Sequence, residues 1–273
     1  MSTTDSEPRD STTRFSDRVD AYIQYRPGYP DGLIASLHDL IGLDQQSMVA
    51  DIGSGTGISS DLFLRHGITV YGVEPNKEMR EAAERLLHHY ENFHSLDGTA
   101  ERTTLPDQSV DVIAAGQAFH WFDQEAVGKE WRRILKPGGH VLIFWNSRRT
   151  DSTPFLRSYE DLLIQYGTDY QEINHQNIED EDIVRFFHPC DVRKLQLYNE
   201  QQVDFEGLRG RLESSSYAPT RDHPNYQPMI ERLSEIFAEH REEGTVCIEY
   251  DLVVYIGCFA EGKEDRTGGE GKE

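Results

Sequence analysis

The stretch Met48-Val-Ala-Asp51-Ile-Gly53-Ser-Gly55-Thr-Gly57-Ile-Ser-Ser60 decides how this chain is read. An apolar-leaning strand runs into an acidic residue, a glycine-rich turn follows, and a helical pattern extends from Ile58 to Arg65. Glycines at 53, 55 and 57 let the main chain turn tightly and bring its N–H groups close to a ligand. A second strand, Ile68 to Val73, ends in Glu74. That carboxylate lies about 20 residues past the loop, where a dinucleotide fold places its ribose-binding acid. The unit reads as a nucleoside-binding βαβ element.

A dinucleotide fold requires G-x-G-x-x-G, the third glycine letting helix and sheet pack closely. Counted from Gly53, that glycine should stand where Ile58 is; the pattern here is instead G-x-G-x-G, with Asp51 two residues ahead. In this form the stretch resembles the first motif of the class I S-adenosylmethionine-dependent methyltransferases. The resemblance implies that Asp51, Gly53, Ser54, Gly55, Thr56 and Gly57 wrap the amino-acid and ribose part of the cofactor. It also implies that Glu74, followed by Pro75 and Asn76, grips the ribose hydroxyls.

Further segments follow in the order the family requires. Phe93 to Leu96 reads as a third strand, and Asp97-Gly98-Thr99-Ala100-Glu101 resembles the family's adenine-holding turn. Thr99 stands where an acid is usual, and its hydroxyl can still accept a hydrogen bond. Thr99, Ala100 and Glu101 are thus implied adenine contacts. Leu105 to Ala115 fits a turn and a fourth strand, which runs into Gly116-Gln117-Ala118-Phe119-His120-Trp121-Phe122-Asp123. Ligands in open α/β sheets bind beyond the carboxyl ends of the strands, so this turn is aimed at the reacting group. Gln117 is a cofactor contact on this reading and Trp121 a substrate contact. His120 is the candidate general base, with an ordinary pKa near neutrality; the alternative is a structural histidine at a strand end. Leu135-Lys-Pro-Gly-Gly-His140 is a tight turn into a fifth strand, Val141 to Trp145, and resembles a late signature of the same class. The resemblance covers residues 45–150.

Ahead of the loop, Phe15, Val19, Tyr22 and Ile23 share a helical face that Pro27 ends. The cluster Tyr22 to Pro30 resembles a segment of the trans-aconitate methyltransferase-like and methyltransferase type 11 group, where it folds over the cofactor. Tyr22 and Arg26 are then cofactor contacts, Arg26 suited to a bidentate carboxylate pair, and Tyr29 is a substrate contact. The other reading makes the tyrosines core aromatics and Arg26 a helix cap.

The chain has 273 residues, with 27 basic and 49 acidic side chains, a net charge of −22. So negative a surface repels phosphate backbones and anionic membranes, which disfavours nucleic acid and bilayers as partners. Cys190, Cys247 and Cys258 are scattered, with no C-x-x-C spacing, and read as reduced thiols in a cytoplasmic protein. His88, His89 and His94 gather near a helix end, but neighbouring helical side chains point apart, so no metal is expected. No apolar run is long enough to span a bilayer and no leader pattern opens the sequence.

The expected fold is α/β: a doubly wound, mostly parallel seven-stranded sheet with an N-terminal helical cap and a helical insertion on the substrate side. Residues 1–13 and 261–273 read as disordered tails around a domain at 14–260, divided into cap helices (14–44), cofactor core (45–150), insertion (150–190) and C-terminal strands and helices (191–260). Helices are expected over Asp31–Leu43, Lys77–His89, Pro154–Tyr166, Glu179–Phe187, Phe205–Glu213 and Met229–Arg241. Late strands are expected over Val192–Tyr198 and Val246–Ile256. The expected function is methyl transfer from S-adenosylmethionine to the oxygen or carbon of a small molecule, a carboxylate being one candidate acceptor, by a monomer or homodimer. Arg209 and Tyr217 are candidate substrate contacts, with Arg211, Arg148 and Arg149 as further cations. The rival readings are a protein or peptide methyltransferase, a cofactor-binding module without turnover, and a nicotinamide-dependent oxidoreductase.

Overall fold

A computed structural model describes residues 25–168, 170, 179–215 and 217–260. Tyr22, the helix expected ahead of Pro27 and both expected tails lie outside the described residues.

The elements, in chain order, are α1 (Gly32–Ile41), β1 (Met48–Ile52), α2 (Ile58–Leu64), β2 (Thr69–Val73), α3 (Lys77–Leu87), β3 (Phe93–Leu96) and β4 (Val110–Gly116). There follow α4 (Gln124–Ile134), β5 (Leu135–Arg148), α5 (Pro154–Tyr166), α6 (Asp180–Phe187), β6 (Arg193–Val203), α7 (Phe205–Glu213), α8 (Tyr226–His240) and β7 (Val246–Gly257). The strands form one seven-stranded sheet in the order β3-β2-β1-β4-β5-β7-β6. The first five are parallel; β7 enters antiparallel between β5 and β6. The chain leaves β1 toward β2 on one side and later returns as β4 on the other. The end of β1 is therefore a topological switch point, where such sheets bind ligands.

Local chemistry starts the helices. Asn76, Asp123, Thr153 and Asp204 each accept a backbone N–H in the first turn of α3, α4, α5 and α7. Glu179 and Asp182 form a capping box on α6. The central strands are apolar on both faces because helices cover both. Val49 and Val70 pack with Leu37 of α1 and Phe63 of α2, while Ala50, Ile52 and Ile113 pack with Trp131 and Ile134 of α4. A third cluster joins α5, α7 and α8 to Ile248 and Tyr250 of β7.

Three boundaries differ from the sequence reading, each for a pairing or capping reason. Strand pairing on β5 begins at Leu135, opposite Val110, and resumes at His140, opposite Val112. The expected turn at residues 135–140 is thus a bulge inside a longer strand, with Gly138 at φ 76°. β6 runs on past Tyr198 to Val203 because β7 offers it a partner along its whole length. α8 begins at Tyr226 rather than Met229, and Pro228 is tolerated because it sits in the first turn.

Candidate active site

The loop after β1 is built from both ends. Gly53 and Ser54 donate their N–H groups to the Val73 carbonyl at the end of β2, at 2.9 and 3.2 Å. Gly53 has φ 67°, and a Cβ there would lie 2.8 Å from the Ala118 Cβ. Gly55 also has a left-handed φ, of 57°, while a Cβ on it meets no atom within 4 Å. Backbone conformation sets the first glycine together with close approach, and the second alone.

Two carboxylates hold this loop. Asp51 is fully buried, and its Oδ2 accepts the hydroxyls of Ser59 and Ser60 at 2.7 and 2.6 Å. Burial raises its pKa to about 6 against the pull of those two hydrogen bonds. Expected among the ligand contacts, Asp51 instead lies beneath the loop, fastening it to α2. Glu74 accepts the Gly55 N–H on Oε2 at 2.9 Å and the Asn76 N–H on Oε1 at 2.8 Å. Burial also raises the Glu74 pKa, against those amide bonds and the Arg80 charge. Arg80 steadies this corner by donating to the Glu74 carbonyl at 2.8 Å.

A cavity opens over the carboxyl ends of β1 and β4. Gly53, Ser54, Gly55, Thr56, Ile58 and Ser59 form one wall; Gly116, Gln117, His120 and Trp121 form a second. Arg26, Pro27 and Tyr29 close it from the N-terminal side, while Asn146, Arg211 and Tyr250 complete it. Gln117 has φ 59°, the left-handed region that a non-glycine residue rarely enters, and its N–H bonds to Phe144. Strain of this kind collects at functional sites. The Tyr29 ring stands edge-on to Phe144 with centroids 4.9 Å apart.

The 25–30 segment is pinned over the cavity from the far side of the sheet. Asn146 of β5 and Asn199 of β6 both donate to the Gly28 carbonyl, at 3.1 and 2.9 Å. Gln201 donates to the Tyr25 carbonyl at 3.2 Å, and Arg26 donates to the Ser214 carbonyl at 3.3 Å.

His120 follows β4 in a single 3-10 turn, Phe119–Trp121, whose Phe119 is buried against Trp131. Protein packed around the imidazole lowers its pKa to about 4, so it is neutral at pH 7, although part of the residue opens to solvent.

The expected adenine contacts form a separate group beside the cavity, at the ends of β2 and β3. Thr99 is exposed, exchanging backbone hydrogen bonds with Arg102, whereas Ala100 is buried. Glu101 accepts the Asp123 N–H at 3.3 Å. Glu74, Pro75, Asn76 and these three do not line the cavity, although Glu74 touches its wall through Gly55.

Arg209 is placed elsewhere: it pairs with Glu213 at 3.0 Å and bonds to Tyr226. Tyr217 packs edge-on against Tyr170 and is not part of the lining. Arg148 is paired with Glu160, and Arg149 with Asp251. Arg211, two residues beyond Arg209, is the arginine of α7 that reaches the cavity. Asn146 and Tyr250 carried no sequence signal, since either pattern equally describes a strand residue. Among the described residues no group of three or more His, Cys, Asp or Glu is arranged to hold a metal ion, and no helix is long and apolar enough to cross a membrane.

Comparison with known proteins agrees with this geometry. Residues 50–143 match the family model described as a methyltransferase domain. A methyltransferase-like protein of Schizosaccharomyces pombe, uncharacterized, is 31% identical over 156 residues, 57% of this chain and 59% of that protein. An uncharacterized methyltransferase of Mycobacterium tuberculosis is 35% identical over 140 residues, 51% of this chain and 55% of that protein. The matched region thus spans between half and two-thirds of the length of these relatives. Among solved structures, a provisionally named type II methyltransferase of Anaeromyxobacter dehalogenans superposes with a TM-score of 0.63 at 20% identity, covering 85% of this chain and 97% of the other. A phosphoethanolamine N-methyltransferase of Haemonchus contortus, solved with S-adenosyl-L-methionine, superposes with a TM-score of 0.55 at 15% identity, covering 92% and 60%. At these identities the superpositions establish the shared fold.

The residues present fit an amino-acid-bearing nucleoside. The Gly55 position leaves a cradle that a Cβ would begin to fill. The buried Thr56 Oγ1 beside it has no hydrogen-bond partner among the described residues, and the Glu74 carboxylate lies one hydrogen bond away.

Proposed function

We propose that this chain, a class I S-adenosylmethionine-dependent methyltransferase by its fold and its domain at 50–143, methylates an oxygen or carbon atom of a small molecule in the cytoplasm. The observation that carries the acceptor class is the cavity itself. Among the described residues it is bounded by the 26–29 segment, the glycine loop, the 116–121 turn and α7, a partly enclosed space that suits a small acceptor. The acidic surface adds to this by disfavouring nucleic acid.

Bound S-adenosylmethionine supplies an electrophilic methyl group on a sulfonium centre. Methyl transfer needs alignment above all, and orientation alone is worth roughly 7–11 kcal/mol. The chain's own residues serve that end. The loop from Gly53 to Gly57 receives the amino-acid and ribose portion, Glu74 with Pro75 and Asn76 takes the ribose, and Thr99, Ala100 and Glu101 border the adenine. Arg26 presents a guanidinium to the cofactor carboxylate. Gln117 holds the methyl end, and Tyr29 and Trp121 offer aromatic faces to the sulfonium and the acceptor. His120, neutral at pH 7, takes the proton an acceptor hydroxyl releases.

Titration calorimetry with S-adenosylhomocysteine and with NAD, followed by labelled-methyl transfer across a metabolite panel and then a peptide panel, tests the reading. Binding of the nucleoside product and label on a metabolite are expected. Preference for NAD, or label on peptides alone, overturns it.

A further inference from the structure

Cysteines that are scattered along the sequence are brought together at one corner of the sheet. β7 runs antiparallel to β6, with Ile256 opposite Arg193. Continued past that pair, the register sets Cys258 opposite Asp191 and next to Cys190. The two thiols are hydrogen-bonding neighbours, and the Asp191 charge also acts on Cys258. Both are free thiols, and both are partly open to solvent.

The corner that holds them is tightly packed. Cys190 donates its N–H to the carbonyl of Phe187, the last residue of α6, at 3.0 Å. Phe187 is fully buried, and a Cβ on Gly257 would lie 2.6 Å from its ring. The Phe259 ring packs on Phe187 with centroids 5.7 Å apart, and the Arg132 guanidinium covers Phe259 at 4.2 Å. Cys190 and Cys258 are thus flanked on both sides by fixed backbone. Phe186 stands edge-on to Phe119, the first residue of the turn that carries His120, so this corner adjoins the candidate active site. Cys247, at the other end of β7, instead donates to Glu200 at 3.8 Å. A structural cysteine serves as a small buried apolar side chain. Two half-exposed thiols set side by side are not explained by packing.

We propose that Cys190 and Cys258 are a redox pair that closes reversibly to a disulfide, fastening the end of β7 to the turn that follows α6. One protein thiolate attacks a small disulfide, bonds to one half and releases the other as a thiolate. The second protein thiolate attacks the protein sulfur of that mixed disulfide and releases the remaining half. The protein thiols lose two electrons and two protons, and the small disulfide becomes two thiols. Burial, with the neighbouring Cys190 adding to it, raises the Cys258 pKa, so exchange quickens as pH rises. The closed bond encloses β6, α7, α8 and β7 in one covalent loop, and long loops constrain the unfolded chain most. The pairing depends on the fold alone and is independent of the acceptor assigned above.

The test equilibrates the full chain, without oxygen and in mildly alkaline buffer, with graded mixtures of reduced and oxidised glutathione. Acid quenching, alkylation and peptide mapping by mass spectrometry follow. Cys190 and Cys258 should lose alkylation together, their peptides joined and the monomer lighter by two hydrogens, while Cys247 stays alkylated. The midpoint of thermal unfolding should rise by roughly 5 °C or more, and fall back when dithiothreitol is added. Cys190→Ser and Cys258→Ser should each abolish the cross-link and the shift; Cys247→Ser should keep both. Glutathione held on either cysteine of the parent without a cross-link overturns the proposal. So does a bond that involves Cys247 or joins two chains, and so do thiols that stay reduced in oxidised glutathione alone. A cross-link that leaves the midpoint unchanged or lowers it overturns the fastening role. These readings are made on the unaltered chain and do not depend on any variant folding.

Discussion

The Glu74 carboxylate receives the Gly55 N–H at 2.9 Å, tying the end of β2 to the middle of the loop that follows β1. The same carboxylate receives Asn76 N–H at 2.8 Å. One side chain thus fixes the loop, and on the proposed reading it is also the one that takes the ribose. Glu74→Ala removes both duties and should weaken S-adenosylhomocysteine binding by about 10- to 100-fold, in line with hydrogen bonds to a charged group. Glu74→Gln keeps one acceptor and should fall between. Calorimetry measures both, and an unchanged affinity in Glu74→Ala would remove the residue from the site.

Asp51 gives a pH test of stability. Its folded pKa is raised from 3.8 to about 6, so the folded state holds the proton more tightly than the unfolded chain. The sign follows: the contribution is full below pH 4 and is lost as pH rises through 6. Two pK units correspond to about 3 kcal/mol. Asp51→Asn keeps an acceptor for Ser59 and Ser60 without the titration. Denaturant unfolding of the two proteins at pH 4 and pH 7 should show the parent losing more stability than Asp51→Asn over that interval.

On the proposed reading, His120 as the base sets the acid limb of activity. With its pKa lowered to about 4, turnover should persist well below pH 6.5, because the ring stays unprotonated there. His120→Ala should reduce kcat by roughly 10²- to 10⁴-fold if the ring accepts the acceptor's proton. An unaltered kcat in that variant, in steady-state assays, would leave the imidazole a structural role.

Gly53→Ala probes the loop without touching charge. The new methyl would sit 2.8 Å from Ala118 in a left-handed backbone. Loss of S-adenosylhomocysteine binding with a near-native circular dichroism spectrum is the expected outcome, and full binding would show that the turn can relax.

Sequence and structure agree where local chemistry decides the outcome. The glycine triplet and the acid after β2 announce themselves within a few residues. The seven-stranded sheet followed from the resemblance carried by those segments. Asp51 looked like a ligand contact because it precedes the glycines, yet only the packing of α2 onto β1 brings Ser59 and Ser60 to its oxygen. Choosing between Arg209 and Arg211 depended on which side of a short helix faces the cavity. Two residues apart on a helix point in different directions; Leu208 and Leu212 mark the buried side of α7, which Arg211 shares. Asn146, Asn199 and Tyr250 meet the N-terminal segment only through the pairing of β5, β7 and β6, contacts far apart along the chain.

That pairing makes the outermost strand a hinge pin for the pocket's cover. Asn199 and Gln201 of β6 hold the main chain at Gly28 and Tyr25, so fraying of this margin loosens the cover, leaving it to Asn146 and Arg26, without disturbing the loop after β1. Deuterium uptake along β6 and the residence time of a captured nucleoside are therefore linked quantities, governed from an edge that touches neither reactant.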